Sequence, residues 1–450
     1  MKSVRKVAIP LFLFACLLLG GSAQGVWGIF LLQAAGLGLL AWSLNARAAQ
    51  PMPQMARALL ILAGCSLALA MAQIVPLPPS IWTALPGRGT VVEGLSLLKQ
   101  QPDWMSLSLN PYETLEASFA LIVPIAIFTA MVRRPDGSRR MLVAALLAAT
   151  FAGCVLGVLQ ISGGDQWYLY RFSAFGSSTG FFANSNHMGT LLIATAPFLV
   201  AIAADGADRN RNAEVRAVIK AVAVAGAGLL IVSIVINQSL AVQILVLPVT
   251  LACLAMAGWG RAPNRRRILV IGALLVIVAG LAVAAFSTDR MRASTQESLS
   301  TRTHIWETSE RAIANVGLAG SGLGTFPQYY RQFEDPGSVT QTFVNHAHND
   351  YLELIVEGGA AAGLLILLFL AWWVFAALRC WRDPEADAYA RAGSVASAAI
   401  LLHSLVDYPL RTAGIAALFA MSLALMCLRP ASSAGSERRD LRPTRHRAIR

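Results

Sequence analysis

Residues 341–363 read Gln341-Thr-Phe-Val-Asn-His346-Ala-His348-Asn-Asp-Tyr-Leu-Glu-Leu-Ile-Val-Glu-Gly-Gly-Ala-Ala-Ala-Gly363. The second half of this stretch opens an apolar run over 352–378 that carries no charge after Glu357. About 20 apolar residues suffice to cross the hydrocarbon core, so this run is expected to be a membrane helix. The first half sets two histidines, an Asn-Asp pair and, just inside the run, two glutamates at the mouth of that helix. Polar groups of this density beside a membrane span are costly unless they are used.

The rest of the chain follows the same pattern. Of 450 residues, 56% are apolar and 13% charged, with a mean hydropathy of +0.59. Soluble domains carry about 25% charged residues. The chain therefore reads as an all-α, polytopic transmembrane bundle whose helices satisfy their own backbone hydrogen bonds in lipid. About twelve spans are expected, at 7–22, 26–44, 56–75, 115–132, 141–161, 187–204, 218–236, 240–259, 268–286, 352–378, 392–407 and 412–428. Together, 1–428 form the membrane domain, and 429–450 form a basic tail expected to be disordered.

The net charge of +12 does not point to nucleic acid, because the basic residues form short clusters between apolar runs. Lys2/Arg5/Lys6, Arg47/Arg57, Arg133/Arg134/Arg139/Arg140, Arg209/Arg211/Arg216, Arg261/Arg265/Arg266/Arg267, Arg379/Arg382/Arg391 and Arg438/Arg439 occupy alternate connecting segments. The positive-inside rule places those segments, and both termini, in the cytoplasm. Outside then lie a turn near Ala23, loops at about 76–114, 162–186 and 287–351, and short turns at Asn237-Gln238 and Asp407–Arg411. The N-terminus resembles a signal peptide, but a second apolar run follows at once, and an uncleaved first helix is expected. The six cysteines sit in or beside apolar runs, which argues against a disulfide framework or a zinc site. In the largest loop, 289–316 reads as interfacial helix, and the aromatic run Phe326–Phe333 suits the headgroup level.

Five of the six histidines, His187, His304, His346, His348 and His403, map to the outside. Either each is structural or they share a polar site. Histidine suits proton transfer near neutral pH. His346 and His348 face one side if the chain there is extended and diverge if it is helical. Asn349 or Asp350 can cap the helix that follows. Arg302 and Trp306 share a face if their segment is helical, and a guanidinium there can bind either phosphate or lipid headgroups. His403 and Asp407 either pair with each other or face the bundle interior. Asn184 and Asn186 precede another span, where capping accounts for one of them and not both. Gly320-Ser321-Gly322-Leu323-Gly324 follows no strand, so it fails the context test for a nucleotide loop. Spacing fixes no third ligand beside His346, His348 and Asp350, and no metal is expected.

Three stretches taken in order resemble the bacterial O-antigen ligase and polysaccharide polymerase superfamily of membrane glycosyltransferases. They are Thr179-Gly180-Phe181-Phe182-Ala183-Asn184-Ser185-Asn186-His187; Arg302-x3-Trp306 with Gly320-x-Gly322-x-Gly324-x-Phe326; and His348-Asn349 followed by Gly359. His403-x3-Asp407 is similar to a weaker downstream feature, and the resemblance covers roughly 170–410. It implies transfer of a glycan from an undecaprenyl-pyrophosphate carrier, at the periplasmic face of the inner membrane, to a glycan or lipid A-core hydroxyl. It implies no cofactor and no metal, His348 as general base, and Arg302 as a donor-binding arginine. Substrate contacts are expected at Asn184, Asn186, His187, His346, Asn349, Asp350, Arg171, His403, Asp407 and Arg411. Further expected partners are membrane lipids and other polysaccharide assembly and export proteins.

The sequence departs from the family at Gln238-Ser239-Leu240, where Leu240 stands in place of an expected arginine. Arg171 or Arg411 is the candidate substitute. Two alternatives stand beside the transferase: a transporter of a polar solute, and a non-catalytic member that binds glycan lipid. The broken midplane helices and internal repeats of many transporters are not seen in the sequence.

Overall fold

The computed structural model describes residues 2–22, 27–45, 51–134, 138–206, 212–258, 289–339, 343–383 and 386–428. The expected span at 268–286, the tail at 429–450, the turn near Ala23, and Arg47, Arg209, Arg211, Arg261 and Arg265–Arg267 lie outside the described residues.

The described chain is almost entirely helical: α1 Lys2–Leu19, α2 Trp27–Leu44, α3 Gln54–Ile74, α4 Pro79–Trp82, α5 Gly89–Leu97, α6 Pro111–Ala120, α7 Ile122–Arg133, α8 Arg139–Gly163, α9 Ser185–Gly206, α10 Ala213–Asn237, α11 Leu240–Gly258, α12 Asp289–Val316, α13 Phe326–Tyr330, α14 Asp350–Arg382, α15 Ala388–His403 and α16 Ala413–Cys427. One antiparallel ribbon pairs β1 Pro76–Leu77 with β2 Met105–Ser106 and ties off the loop after α3. Among the described residues, eight helical segments are long and apolar enough to cross a membrane; α6 and α7 run together as one, Pro111–Arg133. The segment Lys6–Leu19 of α1 and all of α16 are apolar but shorter. The expected span at 392–407 is α15, which stops at His403, so Asp407 sits in the turn beyond it and not on its last turn.

Local chemistry explains the helix starts. Pro111 fills the first position of α6, where its missing N–H costs nothing, and Asn110 accepts from Glu113 N. Asn349 accepts from Tyr351 N and Leu352 N, both at 3.1 Å, and so starts α14. The helices then pack through small residues, which membrane bundles use because lipid supplies no hydrophobic drive between spans. At Gly393 an added Cβ would lie 2.5 Å from the Ser422 carbonyl oxygen, so α15 and α16 approach backbone to backbone.

α14 is broken once. Gly359 has φ 58° and ψ −147°, a conformation essentially reserved for glycine. The backbone groups released there are taken up by the Gly317–Gly324 loop: Ser321 N donates to Val356 O (3.0 Å), Gly322 N to Glu357 O (2.9 Å) and Ala360 N to Leu318 O (3.1 Å). Gln73 of α3 completes the joint, donating to Glu357 O at 3.0 Å and accepting from Leu323 N at 2.9 Å. A broken helix at membrane depth is tolerated when its backbone groups are satisfied in this way. The glycine loop is thus an architectural part of the α14 break.

The largest loop has an apolar core of Ile305, Ala312, Val316, Phe326, Tyr329, Tyr330 and Ala347, closed by Val356 of α14. Phe326, Tyr329 and Tyr330 are buried in it. The aromatic run that the sequence places at the headgroup level is thus packed on protein. The physical reason is that α12, one helix of 28 residues, supplies an apolar stripe for them to cover.

Candidate functional site

One end of the bundle collects residues from five separate segments around Asp407, a fully buried carboxylate. Its Oδ2 accepts from the Asn186 amide and lies 3.5 Å from Arg302 Nη2. Its Oδ1 accepts from Tyr408 N at 2.8 Å and faces His348 Nδ1 at 3.4 Å and His187 Nε2 at 3.9 Å. Asn186 is held in turn by Ser239 Oγ, which donates to its Oδ1 at 2.7 Å. Ser239 follows Gln238, the left-handed residue (φ 60°) that separates α10 from α11.

Four of the five histidines expected outside, His187, His346, His348 and His403, gather here. His346, His348 and His187 pack around the Tyr408 ring, with centroids 4.0, 5.0 and 4.9 Å away. Residues 343–349 are not helical, and His346 and His348 both turn their rings to Tyr408. His348 adopts a left-handed backbone (φ 49°), unusual for a residue with a side chain. Its side chain is 25% exposed, which leaves it reachable, whereas His187 and His403 are buried. His403 Nδ1 pairs with Thr190 Oγ1 at 2.6 Å; among the described residues its Nε2 has no hydrogen-bond partner, and neither ring nitrogen of His187 has one. His304 lies on α12 two residues from Arg302.

Arg302 is placed by its own helix. Trp306, one turn along α12, donates through Nε1 to Ala347 O at 3.0 Å and pins that helix to the histidine segment. Asn184 and Asn186 divide their roles. The Asn184 side chain accepts from Asn186 N at 2.9 Å at the start of α9. The Asn186 side chain reaches Asp407.

A second cluster lies directly behind. Arg411 Nη2 is 3.0 Å from Glu357 Oε2 and 3.3 Å from Glu353 Oε1, and Arg411 Nε is 3.7 Å from Asp350 Oδ1. Burial disfavours its charge, but Glu353, Glu357 and Asp350 outweigh burial and hold the guanidinium protonated above its ordinary range. Asp350 also accepts from Ser404 Oγ at 2.8 Å, and Glu353 accepts from His346 Nδ1 and Ala347 N, each at 2.8 Å. Asn349 caps α14, while Asp350 joins the cluster and donates its N–H to Ser404 O at the α15 end (2.9 Å). The charge of Arg411 is engaged by three carboxylates. Arg171 is exposed and stacks on its neighbour Phe172 (5.4 Å), and no ion pair joins it to either cluster.

Three site residues had weak or no sequence signal. Ser239 stood only as the neighbour of a substituted position. Tyr408 fell in the short turn Asp407–Arg411. Thr190 fell in an apolar span. Among the described residues, no group of three His, Cys, Asp or Glu side chains converges to hold a metal ion.

This geometry is that of a polar site at the mouth of a membrane bundle: a reachable imidazole, a guanidinium, and a buried carboxylate between them. It can accept a proton and bind an anion side by side. No curated protein matches the chain. A family model described as O-Antigen ligase matches residues 225–368, the segment that supplies Ser239, Arg302, His346, His348 and the α14 break. On a helical, membrane-spanning chain, that match supports membership of the O-antigen ligase family, whose members ligate or polymerise glycans.

Proposed function

We propose that the protein is a metal-independent, inverting glycosyltransferase of the bacterial inner membrane. Both termini are cytoplasmic and the Asp407 end of the bundle faces the periplasm, as the arginine clusters on alternate segments favour. The donor is a glycan on undecaprenyl pyrophosphate. The acceptor is a hydroxyl of a second glycan or of lipid A-core, and the product is a surface polysaccharide: O-antigen, capsule or exopolysaccharide.

One observation carries the reading. His348 and Arg302 come from different segments, yet both lie within 3.5 Å of the same carboxylate, Asp407. In the reaction His348 removes the acceptor hydroxyl proton. The oxygen attacks the anomeric carbon, and the bond from that carbon to the pyrophosphate oxygen breaks. The leaving electron pair stays on the pyrophosphate, where Arg302 stabilises it in a water-poor site. Direct displacement inverts the anomeric centre. His348 faces Asp407 through Nδ1, which leaves Nε2 for the acceptor.

The test is complementation of a deletion strain with wild type, His348→Ala or Arg302→Ala. Both variants are expected to reach the membrane, lose long glycan and accumulate lipid-linked precursor. Full activity of His348→Ala removes the general-base role. The non-catalytic reading draws on Leu240 and on the engagement of Arg411, which leave the site fewer available cations. Precursor turnover by wild type alone decides against it.

A further inference from the structure

We propose that Asp407 is a competing anion for Arg302: the donor's pyrophosphate displaces it to bind, and Asp407 takes Arg302 back to expel the undecaprenyl-pyrophosphate product. The proposal rests on the assignment of Arg302 to the donor pyrophosphate.

The argument begins with how firmly each partner is held. Tyr408 N and the Asn186 amide fix the Asp407 carboxylate from its own turn and from α9, and Ser239 Oγ fixes Asn186. The carboxylate therefore stays where it is. Arg302 is different. Its nearest approach to Asp407 is 3.5 Å, beyond the 2.7–2.9 Å of a charge-assisted hydrogen bond, and its side chain is 15% exposed. Its helix is pinned one turn away by Trp306, so the long side chain is the part able to move.

A pyrophosphate offers more charge and more acceptor oxygens than one carboxylate, and a guanidinium fork binds it bidentately. The donor can therefore take Arg302 from Asp407. The buried carboxylate is not left alone, because His348 Nδ1 and His187 Nε2 lie 3.4 and 3.9 Å from its other oxygen. His348 can close that distance once Arg302 has gone, so the arrival of the donor also orients the proposed base. After transfer the arrangement must reverse. A site that held undecaprenyl pyrophosphate with Arg302 and no internal competitor would retain its product. Asp407 supplies the competitor, already in place. A purely structural Asp407 would do none of this, and its loss would weaken donor binding by disordering Arg302 and Asn186.

The experiment uses the full chain in lipid nanodiscs, with undecaprenyl pyrophosphate lacking a glycan as the probe. Its affinity is measured for wild type, Asp407→Asn and Arg302→Ala, and transfer is followed for the first two. Asp407→Asn is expected to bind the probe about fivefold more tightly, the effect of removing one partly screened ion pair. It is also expected to transfer up to about fivefold more slowly in steady state, with a first turnover followed by product inhibition. Binding by Asp407→Asn that is unchanged or weaker overturns the proposal. Where Asp407→Asn does not fold, the wild-type complex with the probe decides. Arg302 is expected more than about 4 Å from Asp407 and on the phosphates, and Arg302 still on Asp407 overturns the proposal. Wild-type binding that survives Arg302→Ala overturns the donor assignment itself. Loss of binding in Arg302→Ala without tightening in Asp407→Asn overturns only the competitor role.

Discussion

Gln73 and Glu357 meet at the break in α14: the Gln73 amide donates to the Glu357 carbonyl at 3.0 Å across 284 residues of sequence. The same Glu357 sends its carboxylate to Arg411 at 3.0 Å. The joint that holds the glycine loop in place is therefore also the joint that holds the charged cluster behind His346.

Substituting Gln73→Leu keeps the volume but removes both hydrogen bonds. The carbonyl of Glu357 and the amide of Leu323 then lose one buried partner each. The expected cost is about 2–4 kcal/mol. A thermal scan of the detergent-solubilised protein reads it as a lowered midpoint, and limited proteolysis reads it as new cleavage in 317–324.

Gly359→Ala acts on the same joint by another route. The residue sits at φ 58°, and an added Cβ would run into the Leu318 carbonyl. Strain plus overlap is expected to cost about 3 kcal/mol or more. Gly363→Ala is the control, since an added Cβ there meets nothing within 4 Å. Equal behaviour of the two variants would rule out the strained break.

Arg411→Met leaves Asp350, Glu353 and Glu357 without their shared cation. Breaking a buried ion pair from one side costs about 3–5 kcal/mol. The variant is expected to be poorly folded at neutral pH. A double variant, Arg411→Met with Glu357→Gln, should recover part of the lost stability, because it removes one unpaired charge. No recovery would mean that the three acids do not act as one cluster.

Tyr329 gives a pH signature in the largest loop. Burial, offset in part by the nearby Arg88 cation, pushes its hydroxyl up from 10.0 to about 12. For an acid raised in the folded state, the unfolded chain ionises first. Stability is therefore full below about pH 10 and falls as pH rises toward about 12. Absorbance of tyrosinate at 295 nm should show Tyr329 titrating late and together with loosening of the loop. In Tyr329→Phe, which also loses the 2.9 Å bond to Asn315, the late component should shrink by one tyrosine. A late component of unchanged size would assign it to another tyrosine.

The sequence by itself determined the membrane bundle, because long apolar runs and clustered arginines are local signals that each segment carries alone. Local chemistry also made Asn349 legible as a helix cap, and it placed His348 and Arg302 in one loop at one end of the bundle. Tertiary structure decided what those residues touch. Asp407 lies 221 residues from Asn186 in the chain, and no local pattern distinguishes the hub of a site from an ion pair at a helix end. Arg411 reads as a candidate substitute for the arginine missing at Leu240, and only the fold sets it among Asp350, Glu353 and Glu357. The aromatic run 326–333 reads as interfacial, and only the fold shows that α12 gives it a surface to bury against. Periodicity reports only which faces of an element are apolar. Which charges meet, and which of them remain free for a substrate, depends on contacts between residues far apart in the chain, and only packing makes those.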